Sequence, residues 1–373
     1  MVSQRNQLIV VSTSGKKAQY ASLEDLEEVL RPYRDAMVSP PQVPLSPIWV
    51  DIQYPYLDTM QMLMRYFLIH TLTIEDCMVE SEKAQQKIEL YDTYRFVSFA
   101  EHHVVPYTNI WNSVDVHLIL PFGTPVLISV HSGPVAYVCG ILNRIQALTS
   151  LNSSLVSKKF QKRTAGKCYI PSAEWLMYAI LDNIVDQFLD LVYECAVEVS
   201  RLDELIYVLP PREQTDFLRR IGAVRSRISV LKMQLQRKLD VVRLLLYDPT
   251  DAIAWNLGAV KVFMRDITDH LVSMLVDLEQ DKETLGSIAT SFISRVSIEM
   301  SLHDREQNAV MKKFSAVATI FLPLTLVAGL WGMNVPVPFM TSTTLHAFGG
   351  IVGCSLLFVA AASTAFWWVG WFS

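Results

Sequence analysis

Gly332-Met333-Asn334 ends a run of uncharged residues that begins after Lys312 and Lys313 and reads KKFSAVATIFLPLTLVAGLWGMN. Asn334 and the carbonyls of Gly332 and Met333 are neutral oxygens, and glycine permits an irregular end to a helix. Oxygens of this kind grip the hydration shell of a tightly hydrated cation without stripping it. A ring of carboxylates would hold a divalent ion more firmly and slow its exit. Elsewhere the chemistry is thin. His102-His103 beside Glu101 offers metal-ligand types, but at the end of a strand-like run these read as exposed polar residues. There is no GxxxxGK[ST] phosphate loop and no Ser/His/Asp or Cys/His spacing suited to nucleophilic catalysis. Neither an enzyme nor an organic cofactor is expected.

The element that must position this motif is a membrane helix. Residues 314–334, at about 1.5 Å per residue, cover roughly the 30 Å of a hydrocarbon core. A second uncharged run, 347–370, follows the loop VPVPFMTSTTLH, and no Asp, Glu, Lys or Arg occurs from Phe314 onward. Lys312 and Lys313 flank the first span while the loop carries no Lys or Arg, so the large N-terminal part is expected on the cytosolic side. Charged residues make up 18% of 373, and the formal net charge is −5. That balance argues against a nucleic-acid partner, which needs a basic face, and suits a cation. The five cysteines show no CxxC spacing, which gives no disulfide framework or zinc ribbon.

With the span, its embedded proline, GMN, a short loop and a second span on the page, TIFLPLTLVAGLWGMN resembles the pore helix and signature of the CorA-type magnesium channel and transporter family. HTLTIEDC resembles that family's HPLxLEDI segment, KIELYDTYRFVSF its PKVExFxxYxFxxL strand pair, and FMRDITDH its FRDxxDH. The resemblance implies an α/β cytosolic domain, a long helical stalk and two C-terminal transmembrane helices, assembled as a homo-oligomer, a pentamer in that family. It implies Mg²⁺ as transported and regulatory ion. It places Gly332, Met333, Asn334, Thr325 and Asn308 along the pore, and Met311, Phe314 and Leu322 at a hydrophobic gate. Lys312 and Lys313 form a basic collar. Asp76 and Asp266 would share a regulatory ion across neighbouring subunits, with Glu75 and Asp186 near a second site. The sequence also departs from the family. Phe314 and Leu322 replace leucine and methionine, Trp331 replaces tyrosine, and the loop after GMN has no acid.

The organisation expected along the chain starts with a partly disordered N-terminal extension over 1–47, where QLIVV reads as a strand, and an α/β domain over 48–171. Within the latter, IWVDI, KIELY, YRFVSFAEHHV, VDVHLIL and PVLISV read as strands, with PFGTP as a hairpin turn. A helical hairpin follows over 172–248: an acidic helix over about Ala173 to Val208, then an arginine-rich one, whose opposite signs favour antiparallel packing. Asp248-Pro249 reads as a helix start, and the stalk over 249–313 runs on into the first span at 314–334. Such a helix would measure roughly 125 Å. The loop is 335–346 and the second span 347–370. One membrane helix cannot enclose a pore, so conduction requires a ring of copies.

The function expected is passive divalent-cation influx, with membrane lipid and other copies of the chain as partners, in the plasma membrane or an organellar one. Two alternatives are a zinc transporter of the ZntB kind and, from another class, a membrane-tethered scaffold.

Overall fold

Ile48, Val50 and Ile52 alternate along one strand with Trp49 and Asp51, and all five are buried. Successive side chains of a strand point to opposite faces, so a strand buried throughout is covered on both. The computed structural model bears this out. It describes residues 7–12, 17–20, 23–39, 43–78, 86–104, 111–155, 172–208, 214–247, 257–333, 335 and 346–370.

The strands are β1 (Gln7–Ser12), β2 (Lys17–Tyr20), β3 (Ile48–Gln53), β4 (Lys87–Leu90), β5 (Tyr94–Val104), β6 (Trp111–Pro121) and β7 (Val126–His131). They form one sheet in the order β2-β1-β3-β7-β6-β5-β4. Among the described strands only β3 and β7 run parallel, with Ile48 opposite Val126 and Gln53 opposite His131. The β6–β7 pair is the hairpin expected from PFGTP, and Gly123 in its turn has φ 75°, a conformation that favours glycine. Within 1–47, β1 and β2 join the sheet, QLIVV forming the strand expected of it, and a helix, α1 (Leu23–Val38), follows. Leu26 and Leu30 of α1 sink into the core because they lie one turn apart on its apolar face.

One face of the sheet packs on α1, α2 (Leu57–Phe67) and α3 (Thr71–Met78) through a core that includes Val50, Ile52, Leu63, Phe67 and Phe96. On the other face lie α4 (Tyr137–Leu155) and α5 (Ala173–Val208). The α5 helix pairs with α6 (Gln214–Leu246). Arg220 meets Glu198 at 2.5 Å and Arg227 meets Glu194, so the register runs backwards along the second helix. This is the antiparallel hairpin that the opposed charges anticipate.

Buried polar groups on the α4/α5 side are joined to one another. Asp51 Oδ1 accepts from Ser129 Oγ at 2.5 Å and from Tyr137 at 3.2 Å, while Trp49 donates to Ser129. Ser, His and Asp meet here, but Ser129 bonds to Asp51 and not to His131, and all three are sealed from solvent. The cluster fastens β3, β7 and α4 together.

A single helix, α7 (Leu257–Trp331), contains Pro323, and α8 (His346–Trp368) follows. The two compact units of the chain are residues 1–286 and 287–373. The expected helix start at Asp248 lies outside the described residues.

Candidate functional site

Two helices, α7 and α8, are long and apolar enough by length and composition to cross a membrane, and their candidate spans end at Trp331 and Trp368. Counting about 100° per residue, Asn308, Met311, Phe314, Leu322 and Thr325 fall within an arc of about 120° on α7. All five are exposed, and Met311, Phe314 and Leu322 are 62%, 69% and 70% open. A stripe that mixes large apolar side chains with two neutral polar ones, uncovered by its own chain, requires cover from lipid, a pore or another copy. Thr325 Oγ1 donates to the carbonyl of Phe321 at 2.7 Å. Its hydroxyl proton is thus engaged within the helix, and its lone pairs remain available to accept. Lys312 and Lys313 are exposed at the start of this stretch.

At the other end, Gly332 N–H bonds to the carbonyl of Ala328 at 2.9 Å and Met333 N–H reaches that of Leu330 at 3.5 Å, so the helix unwinds into a turn at the motif. A Cβ on Gly332 would stand 3.2 Å from the Ala328 carbonyl oxygen, a tight approach that glycine avoids. Asn334 lies outside the described residues. In α8, a Cβ on Gly349 or Gly353 would meet nothing within 4 Å, so no close approach within the chain accounts for this GxxxG pair. Pro323, Val327, Trp331, Gly350, Cys354 and Phe358 border an apolar groove of about 390 Å³.

In the first unit, Asp182 of α5 and Asp266 and His270 of α7 bring their ligand atoms within 4.8 Å of one another. Asp186, one turn along α5, has Oδ1 3.6 Å from His270 Nδ1, and Asp266 Oδ1 is 4.0 Å from His270 Nε2. Burial and the neighbouring Asp182 charge raise the Asp186 carboxyl above its usual range, against the pull of His270 and Arg144. Two or three carboxylates and an imidazole in this space are ligand types that a divalent ion takes, and the imidazole widens the choice beyond oxygen-seeking metals. Asp182 is buried, and Arg144 of α4 lies 2.5 Å from its Oδ2.

Among the residues marked by sequence, Asp266 and Asp186 come together in one chain. Asp76 does not join them: its Oδ2 is 2.8 Å from Lys87 Nζ on β4, and Glu75 is exposed. Asp182 and His270 were not marked as metal ligands. Asp182 is one of many acids on α5, and only the packing of α4, α5 and α7 distinguishes it. The expected exposure of Glu101 and His102 is overturned. Both are buried, because α5 lies over this face of β5. Glu101 accepts from Ala136 N–H ahead of α4 and from Gln187 at 2.7 Å, and His102 sits edge-on to Phe188 at 5.4 Å. The structure uses these residues to join helices to the sheet. Of His103 only its place in β5 is described.

Residues 45–370 match the family model for CorA-like Mg²⁺ transporter proteins. A protein of Schizosaccharomyces pombe is 29% identical over 323 residues, which cover 84% of this chain and 49% of that protein. Magnesium transporter ALR2 of Saccharomyces cerevisiae is 22% identical over 371 residues, covering 86% of this chain and 40% of its own. The chain thus spans about half or less of these two relatives. Among solved structures, the CorA magnesium transporter of Methanocaldococcus jannaschii superposes with a TM-score of 0.59 at 15% identity, covering 98% of this chain and 99% of that one. At that identity the likeness is one of fold.

Proposed function

The chain belongs to the CorA-like Mg²⁺ transporter family, and on that premise we propose that copies of it ring a pore lined by α7 and conduct Mg²⁺ down its electrochemical gradient. The observation that carries this reading is the exposed stripe Asn308, Met311, Phe314, Leu322 and Thr325, which leads toward Gly332-Met333-Asn334 along a helix that carries no charge from Phe314 onward.

Each part of the stripe has a task. Asn308 and Thr325 offer neutral oxygens to a hydrated ion, as Asn334 and the carbonyls of Gly332 and Met333 do at the mouth. Neutral oxygens exchange with the hydration shell at little cost in either direction, which suits passage more than storage. Met311, Phe314 and Leu322 form the apolar ring between, which closes by excluding water and opens by widening. The driving force on a divalent ion is about 4.6 kcal/mol per 100 mV, at about 2.3 per charge. ATP chemistry is not required.

The cluster of Asp182, Asp266 and His270, with Asp186 beside it, serves as the cytosolic sensor. Carboxylates this close repel one another, and a bound cation neutralises the repulsion and fixes α5 against α7 in the closed arrangement. Asp76 of a neighbouring copy completes the set in the assembled ring, where a cation outcompetes Lys87 for it. His270 supports a second reading, in which the sensed ion is one that accepts imidazole, such as Zn²⁺.

The test is uptake by a magnesium-uptake-deficient strain, with zinc accumulation measured in parallel. Rescue by the wild-type chain and its loss in Asn334→Ala, with oligomer size in detergent unchanged, is the expected result. Normal uptake by a correctly assembled Asn334→Ala variant would sink the pore assignment. A chain that only anchors a scaffold supports neither magnesium growth nor zinc accumulation.

A further inference from the structure

Arg144 stands at the back of the Asp182–Asp266–His270 cluster, held by three groups of α5. Its Nη1 is 2.5 Å from Asp182 Oδ2, its Nη2 donates to Tyr178 OH at 3.0 Å, and Tyr178 OH donates to that same Asp182 oxygen at 3.2 Å. The guanidinium carbon also lies 5.2 Å from the Tyr178 ring centre and 5.9 Å from that of Trp175, within reach of a cation–π contact with both. A planar fork fixed in this way is a placed charge and not a free surface arginine.

The consequence for a cation is direct. Asp182 Oδ2 already accepts two donors, so an ion that takes this oxygen must displace Arg144 or the Tyr178 hydroxyl, and an ion that leaves Arg144 in place must tolerate a positive charge beside it. Asp182 is itself buried, so its charge is not left to water when the ion leaves. A bare buried carboxylate would bind the first available cation tightly and stay filled; one already neutralised by its own chain binds only when the ion is abundant.

We propose that Arg144 is a tethered competitor for the Asp182–Asp266–His270 site, and that it sets the cation concentration at which the site fills. This rests on the reading of that cluster as a cation sensor. It makes the threshold a property of α4, a helix that contributes none of the clustered ligands. Swinging off Asp182 need not strip Arg144 of all partners, because the Tyr178 and Trp175 rings remain beside it.

The experiment uses the full chain in detergent and follows protection from protease as MgCl₂ is titrated. MnCl₂ and ZnCl₂ serve as further probes. Arg144→Gln should lower the midpoint for protection about tenfold, the scale of one charge-assisted hydrogen bond. Arg144→Lys keeps the charge without the fork and should fall between Arg144→Gln and the wild type. It also keeps the inference testable if the glutamine variant does not fold, a point checked by thermal unfolding in chelator. In the double variant Arg144→Gln/Asp182→Asn the shift should vanish relative to Asp182→Asn alone. An unchanged or raised midpoint in the Arg144 variants overturns the competitor role, and a rise would make Arg144 a positioning residue for the ligand. If Asp182→Asn and Asp266→Asn leave the wild-type response intact, or no cation protects the wild type, the sensor reading itself fails and takes this inference with it.

Discussion

His131 Nε2 lies 3.2 Å from Asp51 Oδ2 across the parallel pair β3–β7, while the other ring nitrogen of His131 is 2.6 Å from the carbonyl of Gly133. Both partners of the ring are acceptors, an arrangement that favours the doubly protonated, charged imidazole. Burial pulls the pKa of His131 down, but the hydrogen bond to Asp51 and its charge outweigh that and leave it above the ordinary histidine value. A raised folded-state pKa means that the stabilisation is complete below about pH 6.5 and is lost as pH rises through the folded value. His131→Leu should therefore cost about 3 kcal/mol near pH 6, the scale of breaking a buried ion pair, and less at pH 8.5. Chemical denaturation of both proteins across that range checks the sign. A cost that grows with pH contradicts the charged assignment.

Lys238 of α6 should behave in the opposite sense. Its ammonium is fully buried between the faces of Phe99 and Phe188, at 4.3 and 5.2 Å, and donates to the Ala100 carbonyl and to Gln86. Burial lowers its pKa to about 7, against the pull of Asp115 and Glu101. A lysine whose folded pKa lies below its unfolded one destabilises the fold while charged, and the cost is relieved as pH rises from about 7 toward 10.4. Lys238→Met is expected to be neutral or stabilising by about 1 kcal/mol at pH 7 and to flatten that rise. Burial also raises Asp115 on β6 to about 6, so the low-pH side of the profile belongs to the pair. A variant destabilised equally at pH 6.5 and 9 contradicts this account.

The apolar stripe predicts a leak when it is made polar. Leu322→Ser and Met311→Ser should raise basal flux about tenfold, equivalent to about 1.4 kcal/mol off the barrier to wetting. Single-channel or tracer recording at saturating cytosolic Mg²⁺ is the informative condition, because only a closed pore reports a failed seal. Flux reduced by both substitutions would mean that these side chains hold the helices together and do not occlude a path.

Asp266→Ala should leave conduction intact and raise the internal Mg²⁺ needed for half-closure by about tenfold, a coupling energy within the usual allosteric range. Asp76→Ala should do likewise if a neighbouring copy supplies it. Patch recordings at several internal Mg²⁺ concentrations decide this. Unchanged closure in both variants removes the sensor role and leaves the pore reading standing.

The sequence is most readable where a single local rule acts without competition. Helix α5 occupies Ala173–Val208 as expected, because no proline interrupts it and apolar residues recur at helical spacing. Strands β5, β6 and β7 follow from alternation and one turn signal. The adjacency of β3 and β7 is not readable in this way. The strands are far apart in sequence, and parallel pairing leaves no local mark. The same limit applies to the sites. Asp266 is marked by its neighbours in FMRDITDH, whereas Asp182 and Arg144 acquire meaning only when α4, α5 and α7 lie side by side. The burial of Glu101 leaves no local mark either, because a buried carboxylate with Ala136 and Gln187 as partners has the same local sequence as a solvated one.

Pro323 has no N–H, so the carbonyl of Thr319 lacks the donor that every uninterrupted turn supplies. One rung is missing from the ladder of a helix that otherwise resists bending. A push along α7 is then absorbed at this joint before it deforms any intact turn, because flexing there breaks no bond. Leu322 and Thr325 sit on either side of it, so a few degrees of articulation would swing these two side chains together, as the jaw of a clamp turns on its pin.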